Sequence, residues 1–293
     1  MVGVIDVTHF TDPGCPWAYS ASPALATLRW RYGSELRWTL VTIGLAEDSS
    51  LYAERGYTPL RSALGQIGFR RFGMPFQIAP KPGLSATSPA CRAIVATRIA
   101  APELELAALR ALQFAQFTTA GLFDDPRMLR AALRSVDGLD ADAIVQAIDT
   151  PVVLAAYESD RARARTAAGS PTEFQGRAFN SDGAVRYTAP SLVFETEDGR
   201  RLEAGGFQPV EAYDVLVANL DRTLQRRAPA EDPIEVLEAF GHPLATAEVA
   251  AVMAQHLVEP DIEAAERALV EAAAGGRAVR RSAGDGALWS AIA

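Results

Sequence analysis

The chain of 293 residues is 49% hydrophobic and 22% charged, with a formal net charge of −8 and an isoelectric point near 5.1. That composition describes a globular chain with room for one large domain and a smaller one, and its acidity argues against nonspecific affinity for nucleic acid or an anionic membrane. No basic and apolar leader opens the sequence, no apolar run is long enough to span a bilayer, and only two cysteines, Cys15 and Cys91, are present; together these point to a reducing cytoplasm rather than a secreted disulfide scaffold.

Val4 to Phe10 alternates and is rich in β-branched residues, which predicts a strand. Asp12-Pro13-Gly14 is a turn, and Cys15 then stands at the mouth of a helix with Pro16 in its first turn, where the missing N–H of proline is harmless. The spacing of Leu25, Leu28 and Tyr32 carries that helix to Tyr32, and Gly33-Ser34 ends it. Residues 36 to 45 read as a second strand, parallel to the first if the crossover has the usual hand. A thiol at a helix start meets free backbone N–H groups and the positive end of the dipole, so the Cys15 thiolate is expected to be populated below the free-cysteine pKa of about 8.5. A lone cysteine is otherwise a small buried hydrophobe; the run of strand, turn, Cys-Pro and helix is what singles this one out.

Residues 46 to about 168 interrupt the pattern, first as a stretch punctuated by Gly and Pro, then as successive amphipathic helices beginning with Ser88 as N-cap and Pro89 behind it. After Gly169 a polar loop runs to about Tyr187, followed by two short strands joined at Asp198-Gly199 and a closing helix over 208 to 224. Residues 227 to 233 read as a linker. Beyond it come three helices and a hairpin turning at Gly284-Asp285-Gly286, an order that resembles a winged helix. The expected division is a domain over 1–226, with its insertion at about 46–168, and a winged-helix-like domain over 229–293. In the latter, eleven acidic residues face four arginines, and its supposed recognition helix carries Asp261, Glu263, Glu266 and Glu271 against Arg267, which excludes groove binding to DNA.

The segment FTDPGCPWAYSASPAL resembles the active-site segment of the DsbA-like branch of the thioredoxin superfamily, above all the FrnE-like proteins with the motif D-x-x-C-P-W-C-Y. Here Ala18 occupies the place of the second cysteine. Thr188-Ala189-Pro190 stands where that family has a cis-proline facing the cysteine, and ATSPACRA is similar to its N-T-x-x-A-H-R pattern through Thr87, Ala90 and Arg92. The resemblance covers about residues 3 to 224 and implies a thioredoxin-like α/β fold with a large helical insertion. It also implies Cys15 as catalytic nucleophile, with Pro16, Trp17, Ala189 and Pro190 binding the thiol or the substrate's extended segment. Asp12 matches the family's aspartate, although Asp-Pro-Gly is turn chemistry by itself.

A dithiol enzyme releases its mixed disulfide by attack of the second thiol, and Ala18 has none. The resulting expectation is an atypical single-cysteine thiol–disulfide oxidoreductase served by an external low-molecular-weight thiol, with no bound cofactor and no metal. Two alternatives stand beside it: a glutathione transferase or isomerase like the kappa-class and hydroxychromene-carboxylate relatives, and a non-catalytic redox-sensing or binding protein. Accessory candidates are His9 on the preceding strand, Tyr19 with Ser20 on what reads as an exposed first turn, and Cys91, the sole internal resolving candidate, whose apolar helix predicts burial instead. Partners are then a small thiol or a protein disulfide, with no nucleic acid and no membrane; a homodimer is compatible with this reading.

Overall fold

A computed structural model describes residues 3–180 and 183–292; Met1, Val2, Ala293 and, within the loop expected after Gly169, Ser181 and Asp182 lie outside the described residues. Strand β1 (Ile5–Thr11) leads into helix α1 (Pro16–Ser20), helix α2 (Ser22–Tyr32) and strand β2 (Leu36–Thr42). β1 and β2 are parallel, with Ile5 opposite Leu36 and Thr11 opposite Thr42, as the β-α-β reading requires. One difference concerns the first helix, which the spacing predicts as continuous. It breaks at Ala21 because Pro23 has no N–H to give the carbonyl of residue 19 and its ring crowds that carbonyl.

The insertion comprises α3 (Ser50–Glu54), α4 (Pro59–Ile67), a 3-10 turn over Gly68–Phe72, α5 (Ser88–Ala100), α6 (Glu105–Thr118), α7 (Pro126–Leu133), α8 (Ala141–Ala147) and α9 (Pro151–Ala164). Thr58, Asp125 and Asp140 cap α4, α7 and α8 by accepting from backbone N–H groups of the first turn. For α5 the N-cap is Thr87 rather than Ser88, whose hydroxyl instead donates to the Glu47 carbonyl at 3.1 Å. Ile94, Leu109, Leu112, Leu133, Ile144 and Tyr157 form the core of this helical layer.

The chain returns through α10 (Pro171–Phe174) to two three-residue strands, β3 (Ala178–Asn180) and β4 (Val185–Tyr187), paired antiparallel where the sequence reads as loop. Strands this short show no periodicity to detect. Then come β5 (Ser191–Glu195), β6 (Arg201–Gly205) and α11 (Val210–Leu220), giving a sheet in the order β2-β1-β5-β6 with β5 antiparallel to both neighbours. Residues on alternate faces of the sheet enter different cores. Ile5, Val7, Leu192 and Phe194 pack on α2 and α11, whereas Phe10, Val41, Ile43 and Val193 form the cluster that includes Cys15.

The C-terminal segment contains α12 (Pro233–Phe240), β7 (Leu244–Ala245), α13 (Thr246–Met253), α14 (Ile262–Ala274), β8 (Ala278–Ala283) and β9 (Gly286–Ala291), with sheet order β7-β9-β8. The observed order is helix, a two-residue strand absent from the sequence reading, two helices and a hairpin. This segment is packed onto the rest of the chain. Ala26 and Trp30 of α2 share a core with Val236, Val249, Leu269 and Trp289, and burying each of the larger side chains contributes about 1.5–3 kcal/mol. A buried ion pair between Arg110 of α6 and Glu248 of α13, at 2.8 Å, crosses the same boundary.

Candidate active site

Cys15 is the N-cap residue of α1, extended at φ −86° and ψ 115°, with its N–H donating to the Asp12 carbonyl at 3.1 Å. Its thiol donates to the Ala189 carbonyl at 3.1 Å, in the peptide preceding the cis-proline Pro190. The start of α1 and the entry to β5 are thus brought together across 174 positions of sequence. Gly14 allows the loop to pass close to the insertion: a Cβ there would lie 2.5 Å from Thr87 Cγ2.

Asp12 holds this loop from within. Fully buried, it accepts from Gly14 N–H at 2.8 Å, the Asx turn its sequence implies, and also from Leu45 N–H at 2.9 Å, the Thr87 hydroxyl at 3.0 Å and the Cys91 thiol at 3.5 Å. Burial pushes the Asp12 carboxyl above its usual range, against those hydrogen bonds. Cys91 is buried on α5 and its thiol is pushed well up, first by burial and then by the charge of Asp12.

For Cys15 the expectation of a depressed pKa is corrected. Burial pushes the thiol up to about 12, aided by the nearby Asp12, while the N–H groups of Ala18 and Trp17 and the Arg186 guanidinium pull the other way. Only 7% of Cys15 is exposed. The physical reason is that α1 has five residues, too few for a strong dipole, so desolvation outweighs the helix-start donors. The closed site therefore holds a protonated thiol, consistent with its donation to Ala189.

Trp17, 42% exposed, forms the rim beside Cys15. Its ring centroid lies 4.8 Å from Phe69, 5.7 Å from Phe207 and 5.9 Å from Phe72. Pro16 opens α1, and Ala18, buried, lines a cavity of about 30 Å³ together with His9, Arg29, Arg110, His242 and Glu248. Two accessory candidates are not brought to the thiol. His9 alternates with Phe10, so it faces α2 instead of the Cys15 cluster, and burial lowers its pKa to about 3. Tyr19 and Ser20 are buried rather than exposed, and the Tyr19 hydroxyl is engaged with the Pro75 carbonyl at 2.9 Å, because the segment 73–76 and α6 close over that turn.

Residues that the sequence reading missed include Arg186, a buried cation that acts on the Cys15 thiol, and Phe69, Phe72 and Phe207, which complete the rim. The repeat GFRRFGMPF, with aromatics three and four apart, was the available signal for the first two phenylalanines. Among the described residues no group of three or more His, Cys, Asp or Glu side chains is placed to hold a metal ion, and no helix is long and apolar enough to cross a membrane.

No protein-family model and no curated protein sequence matches the chain. Solved structures do. A protein from Nitrosomonas europaea assigned as a disulfide isomerase superposes with a TM-score of 0.56 at 17% identity, covering 75% of this chain and 98% of its own. A Streptomyces coelicolor protein assigned as a DsbA oxidoreductase gives 0.54 at 17% identity, over 78% and 93%. The cytosolic disulfide reductase DsbM from Pseudomonas aeruginosa, solved with GSH, gives 0.51 at 19% identity, over 73% and 98%. With a parallel β1/β2 pair, an antiparallel β5/β6 pair, a helical layer inserted between them and these structural matches, the chain has the DsbA-like thioredoxin fold.

Proposed function

We propose that this chain is a thiol–disulfide oxidoreductase working through the single thiol of Cys15, with an external low-molecular-weight thiol completing each turnover. The observation that carries this reading is the Cys15 sulfur held 3.1 Å from the Ala189 carbonyl beside cis-Pro190, with the methyl of Ala18 where a second thiol would be needed. An extended disulfide-bearing segment that donates a backbone N–H to Ala189 replaces the Cys15 S–H at that carbonyl, and the thiol proton then leaves to solvent. The thiolate attacks one sulfur of the disulfide, forming the Cys15 mixed disulfide and releasing the other sulfur as a thiolate. The external thiolate then attacks the substrate-derived sulfur, so that Cys15 is regenerated and a new disulfide departs. One disulfide is broken and one formed in each cycle, and no electrons remain on the protein.

Support for a small thiol as partner comes from the Pseudomonas aeruginosa reductase, which is described with GSH. We place the activity in a reducing cytoplasm, on the count of two cysteines, both free. The test is to incubate the protein with oxidised glutathione, cystine and hydroxyethyl disulfide and to weigh it intact. The reading expects one adduct per chain, lost in Cys15→Ser and discharged by added thiol. An adduct that forms on Cys15 but resists thiol favours a binding or sensing protein, and no adduct at Cys15 overturns the proposal.

A further inference from the structure

We propose that the turn of the C-terminal hairpin, Gly284–Gly286, clamps the segment carrying the aromatic rim, which makes Asp285 a positioning residue for access to Cys15. This rests on reading Cys15 as the reactive site. Asp285 grips the segment in both directions: its own N–H donates to the Phe76 carbonyl at 3.0 Å, and its Oδ1 accepts from the Phe76 N–H at 2.8 Å. Its Oδ2 pairs with Arg70 Nε at 2.7 Å, one residue after Phe69. The contact is backbone against backbone. A Cβ on Gly284 would lie 2.5 Å from the Phe76 carbonyl carbon, and Gly284 sits at φ +53°, so both its size and its conformation serve the approach.

From the clamped segment the contacts lead to the site. The Pro75 carbonyl accepts from the Tyr19 hydroxyl of α1 at 2.9 Å, and the Phe76 ring meets Tyr19 edge-on at 5.3 Å. Upstream, Phe69 lies 6.3 Å from Phe76 and 4.8 Å from Trp17, and Phe72 bridges Trp17 and Phe207, lying 4.6 Å from the latter. The 3-10 turn that bears Phe69 and Phe72 has no buried residue of its own; these ring contacts and the Arg70–Asp285 and Phe76–Asp285 anchors hold it, together with the approach of Gly73 to Ile262 and Ala247, from which a Cβ there would lie 2.8 and 3.0 Å. The tip of the hairpin is thus engaged by its own chain, facing the thioredoxin-fold region instead of an external groove.

The test uses full-length protein with 5-fluorotryptophan at Trp17, Trp30, Trp38 and Trp289, the Trp17 resonance being assigned by Trp17→Phe. Asp285→Ala, which removes the side-chain acceptor and the ion pair, is expected to move the Trp17 fluorine resonance and enlarge its solvent isotope shift while Trp38 stays in place. Asp285→Asn keeps an acceptor for the Phe76 N–H and is expected to hold Trp17 near its wild-type position. In the same Asp285→Ala protein, iodoacetamide should label Cys15 about tenfold faster, the effect of losing one such hydrogen bond, with Cys91 unchanged. An unmoved Trp17 resonance overturns the proposal, as does equal acceleration at both cysteines, which is general loosening. If Asp285→Ala does not fold, Arg70→Gln alters only a half-exposed side chain, and it must move the same resonance. None of these readouts needs turnover, so a failed clamp and a failed oxidoreductase reading give different results.

Discussion

The closed site makes a quantitative prediction about Cys15. A thiol held at a pKa of about 12 is ionised to about one part in 10⁴ at pH 8, whereas a free cysteine near 8.5 is about one quarter thiolate, a ratio of roughly 2,000. Since the thiolate is the nucleophile, native Cys15 should be alkylated by iodoacetamide on the order of 10³ times more slowly than a cysteine peptide at the same pH. The rate should rise about tenfold per pH unit without levelling off up to pH ~10.5. The linked stability has a definite sign. The folded state keeps a proton that the unfolded chain releases, so the contribution is complete below about pH 8.5 and is lost as pH rises towards 12, at about 1.4 kcal/mol per unit for each buried thiol. A pH series from 7 to 10.5, read by peptide mass against a denatured control, gives the rates, and urea midpoints at pH 8 and 10 give the stability. Alkylation that levels off near pH 7, or outpaces the free peptide, would refute the reasoning by showing that the N–H groups of Trp17 and Ala18 outweigh burial.

Ala18→Cys should create a protein that closes a disulfide between Cys15 and the introduced thiol and discharges its mixed disulfide at a rate independent of added thiol; the bridge is read by mass after iodoacetamide trapping. Arg110→Ala leaves the Glu248 carboxyl buried beside α6 without its cation, so the urea-derived stability should fall by about 3–5 kcal/mol, and a loss within about 0.5 kcal/mol would mean that the pair carries little. A random DNA duplex should show no mobility shift at about 50 mM salt, given Asp261, Glu263, Glu266 and Glu271 on and before α14 and the hairpin tip held against Phe76; a salt-sensitive shift would contradict both.

The strand, the Asp-Pro-Gly turn and the Cys-Pro helix start were legible because each rests on local chemistry: alternation, a fixed proline φ, an Asx turn. So were the parallel β1/β2 pair and the β5–β6 hairpin at Asp198-Gly199. The order of the C-terminal helices was also readable, although the two residues of β7 carry no period. What the sequence could not convey was which surfaces close over which. Tyr19 is apolar and polar at once, and only the approach of Pro75 and Phe117 decides that it is buried. The Cys15 thiol inherits its high pKa from packing by Phe10, Tyr187 and Val193, residues from three strands that no local rule joins to position 15. The break before Pro23 was foreseeable from proline's missing donor; the residues that set the helical spacing, Leu25, Leu28 and Tyr32, all lie beyond it and carry no information about the turn at Ala21.

The central claim is that Cys15 works alone and that its mixed disulfide is resolved from outside. Its most direct test is to prepare the Cys15–glutathione mixed disulfide on wild-type protein and on Cys91→Ser, and to follow release of the adduct by intact mass across a series of glutathione concentrations. Release proportional to added glutathione, with the same slope in both proteins, is the predicted result. Release that does not depend on glutathione and disappears in Cys91→Ser would contradict it, because the buried thiol beside Asp12 would then be the resolving cysteine.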